Sequence, residues 1–194
     1  MTKWLLCDYG EVLALAPSPL HRAALEDEAG AGPDFWSRYW AVRPAYDRND
    51  LDSVQYWAEV LGHSPASMRV RRLVAIDTVM WSQPNHASLA AIGRAAERGI
   101  KLALLSNAPA DLADSFGKLP WLAIFKPRLF SGHLGIIKPE PAIYTVALDA
   151  LHAEPQHVTF IDDRQENIQA AKRAGMRVKH FTRPEQIDRV NPEA

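Results

Sequence analysis

The sequence predicts an α/β chain: a doubly wound parallel sheet interrupted by a small helical insertion. Three observations carry that expectation. Short apolar runs recur at Trp4–Cys7 and at 102–105, 158–161 and 177–181, each followed by polar or turn residues, as buried parallel strands are. Between the later runs lie longer stretches with apolar residues at helical spacing, so strands and helices alternate. Residues 15–84 break the alternation: they hold no strand-like run, helical spacing dominates, and Trp36, Trp40, Trp57 and Trp81 need a packed interior there.

Taken in order, Trp4–Cys7 is the first strand. It meets a charge at Asp8 after an apolar run too short for a signal-peptide core or a membrane span, so the expected location is cytoplasmic. Pro17, Pro19, Gly30, Gly32, Pro33, Pro44, Gly62 and Pro65 then divide 15–84 into several short helices, a helical cap between the first two strands. The core comprises 1–14 and 85–194. Asn85 caps a helix in which Leu89, Ile92 and Ala96 share a face, and Gly99 falls where a helix-ending glycine belongs. The second strand follows at once. A weaker strand is placed at Arg128–Phe130, and Ala142, Ile143, Val146, Ala147, Ala150 and Leu151 form a helical apolar stripe. Another helix runs through Ile168 and Ala171 to Gly175, and the tail from Thr182 onward reads as a surface helix or frayed end.

Composition narrows the function. With 194 residues, 47% apolar and 23% charged, the chain suits one globular domain with an insertion rather than a disordered or fibrous protein. A net charge of -1 supplies no long-range attraction to nucleic acid or anionic lipid, so neither partner is expected. The single cysteine, Cys7, excludes an intramolecular disulfide and any multi-cysteine metal site. Oligomeric state is left open.

Polar groups cluster where the strands end, at the edge where doubly wound sheets bind ligands. Asp8 follows the first strand and can serve as a nucleophile. Ser106 and Asn107 end the second, where a hydroxyl and backbone N–H groups can bind phosphate oxygens. Lys138, ahead of a helix, can bring an ammonium to a phosphate and to the nucleophile's carboxylate. Asp162 and Asp163 end another strand; facing Asp8 they would repel it unless a cation lay between them, and Mg2+ suits such hard oxygen ligands.

In this order, Asp8-Tyr9-Gly10-Glu11-Val12, Ser106-Asn107, Lys138-Pro139 and Asp162-Asp163 resemble the four motifs of the haloacid dehalogenase-like (HAD) hydrolase superfamily. The subgroup with a small helical cap and an Asp-x-Gly first motif matches best. The resemblance spans nearly the whole chain. It implies a Rossmann-like core and a magnesium-dependent hydrolase of a small phosphorylated metabolite, such as a sugar phosphate. Asp8 would form an aspartyl phosphate that water hydrolyses. Asp8 and Asp163 would bind magnesium by carboxylate, Gly10 by its backbone carbonyl, and Asp162 through water or by orientation. Lys138 would stabilise both steps, with Ser106 and Asn107 holding the phosphate.

One position departs from the family pattern. Many of its phosphatases carry a second aspartate two residues after the nucleophile, as general acid and base, and Gly10 stands there. Glu11, Tyr9 or a water are candidate replacements. Two other readings follow: a 2-haloacid dehalogenase, against which Asp162-Asp163 speaks, and a phosphate-binding module whose turnover has decayed. Elsewhere plainer readings hold. Asn167 is structural, Cys7 a small apolar strand residue, and His86, His133 and His180 lack ligand spacing. Trp36, Tyr39, Trp40, Tyr46 and Trp57 form the cap interior, while Arg43 and Arg48 are solvated.

Overall fold

The computed structural model describes residues 3–190. Five strands, β1 (Trp4–Cys7), β2 (Lys101–Ser106), β3 (Arg128–Phe130), β4 (Val158–Asp162) and β5 (Arg177–His180), form one parallel sheet in the order β3-β2-β1-β4-β5. Cys7 lies opposite Leu104 on one side and Ile161 on the other, so three adjacent strands end together. Strand β2 is one residue longer at each end than its apolar run, because pairing with β1 and β3 draws in Lys101 and Ser106. Strand β5 stops at His180, although Phe181 N–H still donates to the Asp162 carbonyl.

Alternation along the strands feeds two cores. Leu5, Cys7, Leu102, Leu104 and Ile161 pack on one face, with Ile92 of α5 (His86–Glu97) and Phe116 of α6 (Ala110–Phe116). Leu6, Ala103, Leu105 and Phe160 pack on the other, with Ile143 and Ala147 of α8 (Pro141–Leu151) and Ile168 of α9 (Gln165–Arg173). That two-sided burial explains why these strands read as continuous apolar runs. Asn85 caps α5 by accepting from Ser88 N–H, and Gly99 takes the left-handed φ of +80° that closes the helix. Short helices α7 (Ser131–Leu134) and α10 (Glu185–Asp188) complete the sheet's surroundings, and residues 191–194 of the expected tail lie outside the described residues.

Helices α1 (Pro19–Ala29), α2 (Phe35–Arg48), α3 (Ser53–Leu61) and α4 (Ser67–Trp81) stand between β1 and α5. They enclose a third apolar cluster built on Tyr39, Tyr46, Tyr56, Trp57 and Leu73. Pro44 does not divide the insertion as expected, since α2 runs through it. Tyr39, Arg43 and Tyr46 are buried on both sides of the proline and hold the two halves in line, against the roughly 3 kcal/mol an interior proline costs a helix. The two chain crossings pair with each other at Ala14 and Pro84, through Leu15 N–H to the Gln83 carbonyl and Asn85 N–H to the Leu13 carbonyl.

Candidate active site

Because β1, β2 and β4 end side by side, Asp8, Ser106 and Asp162 emerge at one edge of the sheet. Carboxylate oxygens of Asp8, Asp162 and Asp163 lie within 4.8 Å of one another. Lys138 Nζ sits between two of them, 2.6 Å from Asp8 Oδ1 and 2.7 Å from Asp162 Oδ2, with the ring of Phe160 beneath it. The Tyr9 N–H also donates to Asp8 Oδ1, at 2.7 Å; Oδ2 has no hydrogen-bond partner among the described residues.

Asp162 is fully buried and occupied. Besides Lys138, it accepts from Arg164 N–H and, at both oxygens, from Asn167 Nδ2. It therefore fixes the ammonium, and Asp163 is the acid that reaches the cavity wall. Asn167 holds Asp162 in turn. The Asn107 amide is spent differently from expectation: Nδ2 donates to the Lys138 carbonyl at 2.9 Å and Oδ1 accepts from Lys138 N–H at 2.8 Å. The side chain thus clamps the lysine's backbone, and only the Asn107 N–H stays available to an anion. Ser106 is buried at the end of β2 on the same cavity, with no partner for its hydroxyl among the described residues.

Charge and burial oppose each other here. Burial pushes the Asp8 carboxyl up to about 8, with Asp162 and Asp163 adding to it and Lys138 pulling against it. Burial works to lower Lys138, but the Asp162 and Asp8 carboxylates outweigh it and hold the ammonium above its ordinary range. Asp163 is raised by burial and by Asp162. Cys7, in the strand beneath, is driven well above the thiol range by burial and by Asp8, which fits a packing role.

The cavity holds about 190 Å³. Asp8, Gly10, Ser106, Asn107, Lys138 and Asp163 line its sheet side; Trp40, Arg43, Asp47 and Trp81 close it from the insertion. A Cβ added at Gly10 would meet only Trp81, at 3.7 Å. Arg43 is not solvated as expected, being only 7% exposed. Its Nε donates to Asp47 Oδ1 at 2.7 Å, and Nη1 contacts the Tyr39 hydroxyl and Asp77. Arg48 is paired with Glu140 and Asp50. Tyr39, Tyr46 and Trp57 are interior as expected, whereas Trp40 is 44% exposed at the cavity. Sequence reasoning passed over Asp47, although its i,i+4 spacing from Arg43 in an aromatic helix marks a paired, inward-facing acid. His180 bonds the Asp163 carbonyl and His133 contacts the Asp114 carboxylate.

Sheet order, strand-end carboxylates and a buried lysine define an α/β protein with its polar site at the strand ends. The chain belongs to the haloacid dehalogenase-like hydrolase family, whose sequence profile matches residues 12–175, beginning just beyond Asp8. It is similar to the phosphoserine phosphatase of Thermus thermophilus, 35% identical over 110 residues, which cover 53% of this chain and 41% of that protein. The chain spans less than half the length of the curated relatives it matches. In fold it is similar to a HAD family enzyme of Bacteroides thetaiotaomicron crystallised with magnesium and inorganic phosphate. The TM-score is 0.73 at 17% identity, over 92% of this chain and 93% of that one. The L-2-haloacid dehalogenase of Xanthobacter autotrophicus is also similar, with a TM-score of 0.69 at 17% identity over 92% of this chain and 76% of that one.

Proposed function

We propose that this protein is a magnesium-dependent hydrolase of small phosphorylated metabolites that works through an aspartyl phosphate at Asp8. One observation carries the reading: three carboxylates within 4.8 Å of one another beside a buried ammonium. Lys138 contacts two of those carboxylates but offsets only one negative charge, and a set of hard oxygens with charge left over suits a divalent cation. Asp8 and Asp163 would hold magnesium through their carboxylates and Gly10 through its carbonyl, with Asp162 acting by orienting Lys138. Bound there, the ion would offset charge on the phosphoryl oxygens.

The chain's own groups supply the rest. An Asp8 carboxylate oxygen attacks phosphorus, the bond from phosphorus to the ester oxygen breaks, and that oxygen leaves with a proton as the alcohol. Water then attacks phosphorus, releasing phosphate and restoring the Asp8 carboxylate. The Lys138 ammonium faces Asp8 throughout, while the Ser106 hydroxyl and the Asn107 N–H are free to hold phosphoryl oxygens. The insertion, residues 15–84, would act as a cap over the cavity and limit the access of bulk water. A volume of about 190 Å³ suits a small molecule, being below the roughly 300–1,000 Å³ of drug-sized sites. No helix among the described residues is long and apolar enough to cross a membrane.

The relatives support two chemistries, ester hydrolysis and dehalogenation. Asp163 favours the first, because displacement of halide from carbon needs no cation site. Purified protein should release phosphate from some member of a panel of phosphate esters with magnesium and not with chelator, and Asp8→Asn should lower the rate at least ~10³-fold. Chelator-resistant halide release from a haloacid would reverse the assignment. Phosphate binding without turnover would mark a decayed site.

A further inference from the structure

The second aspartate of the family's usual pair is absent at Gly10, and the cavity's sheet side offers no obvious substitute. Tyr9 is committed, its hydroxyl donating to the Trp81 carbonyl. Glu11 stands exposed at the rim, with no hydrogen-bond partner among the described residues to aim it. Across the cavity stands one oriented acid. Asp47 enters from α2 with its side chain 13% exposed. Arg43 fixes Oδ1 at 2.7 Å, while Oδ2 has no hydrogen-bond partner among the described residues.

We infer that Asp47 is the proton donor to the leaving group and the proton acceptor from the hydrolytic water, the role that Gly10 cannot fill. The inference rests on the phosphatase reading above. When phosphorus bonds to Asp8, the ester oxygen on its far side must depart away from the sheet, toward the insertion wall that carries Asp47. The Asp47 carboxyl gives its proton to that oxygen as the P–O bond breaks, and the alcohol leaves. The resulting carboxylate then takes a proton from the water that attacks the aspartyl phosphate, which restores the acid. Protons balance over the cycle. Burial raises the Asp47 carboxyl, opposed by Arg43 at contact and by Arg164 and Lys138 farther off; Asp77 shares Arg43 and is itself raised by Asp47. The direction of that shift is the one that favours a proton donor.

Leaving-group dependence separates a proton donor from a structural residue. Phenyl phosphates graded from 4-nitrophenyl to unsubstituted phenyl are hydrolysed with magnesium by wild type, Asp47→Asn and Glu11→Gln. A nitrophenolate needs no proton, whereas phenolate does. The expected result for Asp47→Asn is a kcat/KM loss of about 10²-fold or more on phenyl phosphate and less than about tenfold on 4-nitrophenyl phosphate. A partly unfolded variant would lose both equally, so the ratio survives a stability defect. Equal losses across the series, or a steepened series in Glu11→Gln instead, would overturn the assignment. Wild type inactive on every ester would sink the phosphatase reading and this inference with it; wild type active with an unaltered Asp47→Asn series would sink only the inference.

Discussion

At the scale of single residues, Asp8 carries the contradiction on which the site runs. It is 8% exposed, has acids for neighbours, and is held near 8, where an aspartate in the unfolded chain titrates near 3.8. A folded pKa above the unfolded one means that the folded protein keeps a proton the unfolded chain gives up. The associated stability is complete below about 4 and is lost as pH rises through about 8. Asp163 acts in the same sense. Magnesium would bind the ionised carboxylates, so it should relieve a burden that grows across this window. In thermal melts, the rise in Tm caused by magnesium should be larger near pH 8 than near pH 6; an equal or reversed increment would refute carboxylate binding. Asp8, Lys138 and the double acid were legible because each follows an apolar run or precedes a helix. What Asn107 and Asp162 do was not, since both answer to Lys138, 31 and 24 residues away along the chain. Asp47 was hidden for a related reason: its orientation depends on burial of Arg43, and an arginine reads as a solvated residue until its surroundings are known.

At the scale of elements, the turn after β2 is held by α7 rather than by its own sequence. Ser131 Oγ accepts from Ala108 N–H, and Gly132 N–H donates to the Ala108 carbonyl. A Cβ at Gly132 would stand 2.4 Å from Ala110 N and 2.7 Å from the Pro109 carbonyl carbon, both backbone atoms that cannot swing aside. Gly132→Ala should therefore cost about 1–3 kcal/mol, as overpacking does. At roughly 2–4 °C per kcal/mol for a chain of this size, Tm should drop by several degrees, and a variant melting within about 1 °C of wild type would contradict the packing argument. Strands β1, β2 and β4 were readable from the two-sided burial that makes them apolar throughout. β5, read from the sequence as an apolar run over 177–181, is instead half-exposed and polar, since Arg177 and His180 face out and only Val178 and Lys179 are partly covered. Pro44 misled in the opposite direction, because helix α2 draws its stability from the aromatic cluster and not from local propensity.

At the scale of the whole molecule, sheet and insertion meet at several places, the Tyr9 hydroxyl's bond to the Trp81 carbonyl among them, and two more tie the chain crossings and the end of α2. One is the pairing of Ala14 with Pro84. The other is the end of α2, where Tyr46 donates to Asp111, the Asp47 carbonyl accepts from Ser131, and Arg48 pairs with Glu140, two residues beyond Lys138. An insertion was legible from the tryptophans and broken alternation; this second contact was not, because Tyr46 and Asp111 lie 65 residues apart and Arg48 and Glu140 lie 92 apart.

The Arg48–Glu140 pair has a practical consequence, because its side chains are 32% and 33% exposed and dissolved ions compete for both. Electrostatics between exposed groups fade beyond about 10 Å at 0.1 M salt, and such pairs are worth about 0.2–1 kcal/mol. Brine should therefore loosen the grip on whatever the cavity holds. With magnesium held constant, KM should climb with potassium chloride in wild type and climb less in Arg48→Ala, whose clasp is already open; parallel curves for the two proteins would disprove the link. Ionic strength would then act as a dial on substrate retention, set by a pair of side chains that never meet the phosphate.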